Sequence, residues 1–245
     1  MIISEKFKYI FIGLPMTGST AISRELIENY DGKSILYKHS NINNLKKQNI
    51  KIEDYYIFTI YRDPIDMCFS QYNKIISNHK GSFDLELVKS KTPKNFKLIK
   101  SVKNKELSFL EYIKHKYRYH PYDNNFSLNK NHCSLVIPFN DLSNGFDKFL
   151  KACKILKKRN LPIYNKTIKS HSDDKNKVEL NLNLVSKVFG PFLIENNNYN
   201  YKKRIIKFRL FPFLKYKFLK PIRFFYDKVI ESKRTDKLDE FKKIN

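Results

Sequence analysis

Two apolar runs, each closed by a turn and followed by a helical pattern, restrict this chain more than any other feature of it. Residues 9–14 (YIFIGL) show no polar alternation, so they read as a strand buried on both faces, and the glycine and the proline that follows force a tight loop. A helical pattern over 20–30 comes next. Residues 55–61 (YYIFTIY) repeat the arrangement, ending in Arg62, Asp63 and Pro64 and running into a helix to about Ser77. Proline suits a first helical turn because the N–H it lacks would have no partner there. Between the two units lie a weaker strand candidate at 34–37 (SILY) and a polar helix over 41–49 with Leu45 turned inward. This order of strand, loop and helix spells an α/β fold: a parallel sheet, flanking helices, and ligand sites at the carboxyl ends of the strands.

Downstream, 78–104 is Lys-rich without clear periodicity and reads as a mobile surface loop. Residues 107–119 carry a helical stripe of Phe109, Tyr112, Ile113 and Lys116; 133–139 form a strand, 141–157 a helix opening with Asp and Ser cap chemistry, and 178–189 a further amphipathic helix. Beyond about residue 200 the character changes, with large apolar residues such as Phe208, Phe211, Phe218 and Phe224 interleaved with Lys and Arg and divided by Pro212 and Pro221. The chain thus separates into one main domain over 1–200 and a basic, aromatic, helical C-terminal extension over 201–245. Residues 204–230 suit an anionic membrane surface, where Lys and Arg stems snorkel to headgroups. They suit equally an extra layer packed back on the domain, and aromatic clusters favour that second reading slightly.

A chain of 245 residues with 41% apolar content, 20 Phe and 16 Tyr fills one sizeable core. Its 48 Lys and Arg against 24 Asp and Glu leave +24, an excess that attracts any polyanion and so selects none. No helix-turn-helix, zinc-finger or RNP motif accompanies the charge, so nucleic acid is not an expected partner. Cys68, Cys133 and Cys153 are odd in number and lack C-x-x-C spacing, which argues against a disulfide framework and a zinc site; no metal is expected. The chain enters a strand pattern almost at once, and no apolar run approaches the ~20 residues needed to span a bilayer. A cytoplasmic, membrane-peripheral protein is the expectation.

Two segments carry chemistry. GLPMTGST, residues 13–20, sits between the first strand and its helix with a spacing like the P-loop G-x-x-x-x-G-K-S/T, in which backbone N–H groups and a helix N-terminus wrap a phosphate. Ser19 stands where that motif has Lys, which weakens a kinase or ATPase reading. Thr17, Ser19 and Thr20 offer hydroxyl donors, and Gly18 allows a close approach. In YRDPIDMCFSQY, residues 61–72, Arg62 can fork onto a phosphate, and Ser70, eight residues on, lies about two helical turns away. Taken singly, each segment also reads as an ordinary strand-helix turn or a capped helix.

Together they resemble the PAPS-dependent sulfotransferase superfamily, whose 5′-phosphosulfate loop has the form P-K-T-G-S/T-S/T and whose 3′-phosphate motif has the form R-D/N-P-x-x-x-x-x-S-x-Y. The second is matched by Arg62, Asp63, Pro64, Ser70 and Tyr72. The resemblance is closest to the Golgi-type carbohydrate sulfotransferases and their bacterial relatives. It runs on through KHSNINNLKK from Lys38, VIPFNDLSNGFDKFLKACKI from Val136 and LPIYNKT from Leu161, covering about residues 6–200. It implies a P-loop-like fold, 3′-phosphoadenosine-5′-phosphosulfate (PAPS) as co-substrate and a saccharide or glycolipid hydroxyl as acceptor. Pro15, Met16, Thr17, Gly18, Ser19 and Thr20 would then hold the 5′ end of the donor, Arg62 and Ser70 its 3′-phosphate, and Asn165 and Lys166 its 3′-phosphoadenosine end.

His39 falls where the family presents its general base, a role for which imidazole is suited by its near-neutral pKa. Met16 departs from the pattern, because the family has a Lys there that neutralises charge on the leaving phosphate. Either Lys38, Lys166 or Lys169 supplies the missing cation, with Lys38 first because it neighbours His39, or the chain is a degenerate sulfotransferase fold that binds nucleotide or glycan without catalysis.

Overall fold

The two apolar runs become neighbouring parallel strands. The computed structural model describes residues 1–48, 50–162, 172–196 and 210–221. Its strands are β1 (Ile2–Ser4), β2 (Tyr9–Ile12), β3 (Lys33–Ser34), β4 (Tyr56–Tyr61) and β5 (Leu135–Pro138), which form one mixed sheet in the order β3-β1-β2-β4-β5. Tyr9 pairs with Tyr56 and Ile12 with Thr59, and Phe58 pairs with Leu135 on the far side, so β2, β4 and β5 run parallel. The helices are α1 (Ser19–Asn29), α2 (Ile42–Lys46), α3 (Pro64–Ile76), α4 (Leu85–Lys91), α5 (Phe96–Lys103), α6 (Phe109–Lys116), α7 (Phe126–Asn129), α8 (Leu142–Ala152), α9 (Ser172–Leu180), α10 (Leu182–Val188) and α11 (Gly190–Glu195), followed by α12 over 210–221.

Strand periodicity sorts the core. Tyr9, Phe11, Phe58 and Ile60 face α1 and α8, where Phe58 stacks on Phe149 at 4.1 Å between ring centroids. The alternate residues Ile10, Ile12 and Ile57 face Ile42 and Leu45 of α2. A larger cluster joins α3, α5, α6 and α9 to α11. At β5 the helix comes unusually close: a Cβ on Gly145 would lie 2.2 Å from Ile137 Cγ2, so only glycine admits this approach of α8.

The fold departs from the sequence reading in several places. The sheet is mixed rather than wholly parallel, because Ile2–Ser4 folds back on β2 as an antiparallel hairpin turning at Lys8 (φ 50°) and β3 pairs antiparallel to β1. The strand expected over 34–37 shrinks to Lys33–Ser34, as Leu36 takes a left-handed conformation (φ 55°) and turns the chain toward Lys38 and His39. The segment 78–104 is no loop. It forms α4 and α5, each too short to show a period, with Val88, Ile99 and Val102 buried and the lysines mostly outward. The helix expected to reach residue 157 ends at Ala152, before the left-handed Lys154 (φ 55°). Asp141 accepts the Asn144 amide at 2.7 Å instead of capping a backbone N–H. The helix expected over 178–189 is split by Asn181, whose side chain caps α10 by accepting from Leu184 N at 3.0 Å.

Helix α12 docks through its polar side. Tyr216 is buried in the α3–α11 core and bonds Glu195 and Asp123, while Lys217 and Lys220 donate to Glu195 at 3.0 and 2.7 Å. Burial alone would raise the Glu195 pKa, but the bonds from Lys220, Tyr216 and Lys217 outweigh it and bring it down to about 2. Leu210, Phe211, Leu214 and Phe218 remain exposed. Among the described residues no helix is long and apolar enough to cross a membrane.

Candidate functional site

The loop between β2 and α1 turns through two left-handed residues, Met16 (φ 63°) and Gly18 (φ 74°). Gly18 takes this conformation freely, whereas Met16 pays no such exemption and is held there at a cost of roughly 1–2 kcal/mol. Packing is close there as well, since a Cβ on Gly18 would lie 3.1 Å from Leu142 Cδ1 and 3.4 Å from the Phe139 ring. Thr17 is buried and its hydroxyl donates to Leu14 O at 2.8 Å, so its proton braces the loop from within. Pro15 is exposed, Ser19 is buried at the start of α1, and Gly18 caps that helix without a side chain. No acidic residue occupies the first turn of α1, which leaves the positive end of its dipole without an opposing charge on the helix itself.

Arg62 reaches this loop from the end of β4. Its Nη1 donates to Met16 O at 2.7 Å and its guanidinium lies over the Phe139 ring, 4.0 Å from the centroid. Its Nε is buried and finds no partner among the described residues. Burial lowers the Arg62 pKa, partly opposed by Asp66 and Asp63. Asp63 caps α3, accepting from Ile65 N at 2.7 Å, and Asp66 pairs with Lys175. Ser70 is buried two turns into α3, and Tyr72 turns away to donate to Leu107 O at 2.8 Å, tying α3 to the chain before α6.

Further cations surround the loop. The Lys38 ammonium donates to Thr20 Oγ1 at 2.9 Å in the first turn of α1. The Lys74 ammonium contacts Met16 Sδ at 3.3 Å. Burial lowers the pKa of both, and like charges push the same way: Arg24 and Lys80 on Lys38, and Arg62, Lys80 and Lys38 on Lys74. Among the described residues neither lysine forms a salt bridge. His39 Nδ1 lies 2.9 Å from Gly13 O. A carbonyl only accepts, so Nδ1 carries the proton and Nε2 is the basic nitrogen of the neutral ring.

The structure therefore gathers Met16, Thr17, Gly18, Ser19, Thr20, Lys38, His39 and Arg62 around one loop, with Ser70 buried on the neighbouring helix. Lys74 is the residue the sequence reading missed. Its signal was present, because it follows Ser70 by one i,i+4 step on a helix already recognised. Asn165, Lys166 and Lys169 lie outside the described residues. The chain leading toward them is tied to α1 by Arg159, whose Nη2 donates to Glu25 at 2.7 Å and to Glu28 at 3.0 Å. Among the described residues no group of three or more His, Cys, Asp or Glu side chains could hold a metal ion. Such a site can bind and orient an anionic group and accept a proton beside it. No family model, curated protein or solved structure matches the chain.

Proposed function

We propose that this protein is a sulfotransferase with a P-loop-like nucleotide site that moves the sulfuryl group from PAPS to a hydroxyl of a saccharide or glycolipid acceptor. One observation carries the reading: Arg62, the first residue of the segment resembling a 3′-phosphate motif, bonds the carbonyl of Met16, in the segment resembling a 5′-phosphosulfate loop. Two motifs 46 residues apart thus meet at the carboxyl edge of parallel strands, where open α/β sheets bind ligands. The unpartnered Arg62 Nε beside them fits an anion, since a buried donor without a partner costs about 1–3 kcal/mol until one arrives.

In this reading the acceptor oxygen attacks sulfur, the bond from sulfur to the phosphate oxygen breaks, and the hydroxyl proton passes to His39 Nε2. The products are a sulfate ester and adenosine 3′,5′-bisphosphate. The acceptor class follows from the resemblance alone. Of 204–230, the described helix α12 packs on the domain through Tyr216 and leaves Leu210, Phe211, Leu214 and Phe218 exposed, a face that would suit an anionic membrane on the cytoplasmic side.

Met16 supports a second reading, a fold that binds the nucleotide or a glycan without turnover, because a thioether brings no charge to the loop. Calorimetric titration with adenosine 3′,5′-bisphosphate tests the nucleotide site. Transfer of radiolabelled sulfate from PAPS across a set of glycan acceptors then separates the enzyme from the binder. Absence of nucleotide binding would overturn the enzyme and the nucleotide-binding form of the second reading, and absence of glycan binding as well would overturn the second reading whole.

A further inference from the structure

We infer that Lys74 supplies the cation for the anion held at the 13–18 loop, filling from helix α3 the place that Met16 leaves without a donor. The inference rests on the reading just proposed and names one working residue of that same site. Met16 is bracketed by a single strand-helix unit: Arg62 Nη1 lies 2.7 Å from its carbonyl and Lys74 Nζ lies 3.3 Å from its sulfur. Asp66, Ser70 and Lys74 follow one another at four-residue steps on α3, the helix that Arg62 leads into, and the contact of Lys74 with Met16 brings the far end of that stripe to the loop. The carboxylate on that stripe does not neutralise the lysine, because Asp66 is engaged by Lys175.

A thioether is a weak acceptor and a poor partner for an ammonium. Among the described residues the charged groups that act on Lys74, namely Arg62, Lys80 and Lys38, are cations. Holding a half-buried ammonium against sulfur and among like charges is costly, and an incoming anion removes that cost. Lys38 is placed differently, with its ammonium on Thr20 Oγ1 in the first turn of α1 rather than on Met16. When the bond from sulfur to the phosphate oxygen breaks, negative charge grows on that oxygen, and a fixed ammonium beside it lowers the barrier to transfer. Met16 is therefore tolerated because its own side chain need not carry the charge.

The test is calorimetric titration of the full chain and of Lys74→Gln and Lys74→Arg with three probes: adenosine 3′,5′-bisphosphate, adenosine 3′-monophosphate and inorganic phosphate. Lys74→Gln should bind the bisphosphate roughly tenfold to a hundredfold more weakly, the scale of one charge-assisted hydrogen bond. Its affinity for the 3′-monophosphate, which lacks the 5′ group, should stay within about twofold of wild type, and Lys74→Arg should recover most of the loss. Unchanged bisphosphate binding in Lys74→Gln, or an equal loss for both nucleotides, would overturn the assignment. If wild type binds neither nucleotide, the PAPS reading fails by itself. The phosphate arm still judges the lysine: weaker phosphate binding in Lys74→Gln supports its role as the loop's cation, and unchanged binding rejects it.

Discussion

Arg62→Met separates what this side chain does for the fold from what it does for a ligand. The substitution keeps the apolar stem and approximate length but removes the charge and five donors. In the empty protein two sets of terms oppose each other. The bond to Met16 O contributes about 1.5–3 kcal/mol and the face contact with Phe139 about 0.5–2 kcal/mol. Against them stand the removal of a guanidinium from water, several kcal/mol in effect, and an unpartnered Nε costing about 1–3 kcal/mol. The two sets are of similar size and opposite sign, so urea unfolding of the ligand-free variant should differ from wild type by less than about 3 kcal/mol. Binding has no such offset. Loss of the charge-assisted contact to a 3′-phosphate should weaken adenosine 3′,5′-bisphosphate by about 2 kcal/mol or more, roughly thirtyfold in Kd, with AMP little changed. Calorimetry on both nucleotides and urea melts complete the test. Equal weakening of both nucleotides would refute the 3′-phosphate assignment, and a stability loss above about 3 kcal/mol with binding intact would show that Arg62 is a structural clamp.

Three further outcomes follow from particular contacts. His39→Asn should lower the rate of radiolabelled sulfate transfer by roughly 100-fold to 10,000-fold while leaving adenosine 3′,5′-bisphosphate binding intact, the signature of a lost general base. Gly145→Ala, whose Cβ would meet Ile137 Cγ2 at 2.2 Å, should destabilise the protein by about 1–3 kcal/mol in urea melts, and a neutral result would mean that α8 shifts freely on β5. Glu195 has a folded pKa of about 2, below its ordinary 4.5, so its contribution is present above pH 4.5 and is lost as pH falls toward 2. Limited proteolysis across that window should cut near α12 increasingly in wild type, and Glu195→Gln should show raised but pH-insensitive cleavage.

What the sequence made legible was whatever a period or a motif could carry. The strands β2 and β4, their helices and the segments around Met16 and Arg62 were recoverable, because each apolar run is buried on both faces and each ends in residues with one dominant conformational use. The hairpin strand β1 was not, since three residues make no pattern and its turn depends on a left-handed Lys8 that nothing in the sequence marks. The short helices over 78–104 were hidden because only Val88, Ile99 and Val102 are buried among many lysines. Lys38 was legible through its neighbour His39, whereas the contact of Lys74 with Met16 depends on the i,i+4 step from Ser70 on α3 and on a meeting of segments 58 residues apart. Phe139, expected only to close a strand, stacks on Arg62, a contact between distant segments that no local spacing encodes.

The site also has a history in folding. Ile57 N meets Ser134 Oγ across a separation of 77 residues, and β5 delivers the Phe139 ring that lies over Arg62, whose own bond to Met16 spans 46. Closing loops of this length costs chain entropy before any contact repays it, and parallel pairing is intrinsically slow for that reason. The arrangement of Met16, Arg62 and Phe139 therefore needs β2, β4 and β5 together and cannot form in a short fragment. A ligand that selects the finished site would stabilise the whole sheet by RT ln(1 + [L]/Kd), so on the proposed reading the nucleotide would act in folding as well as in chemistry.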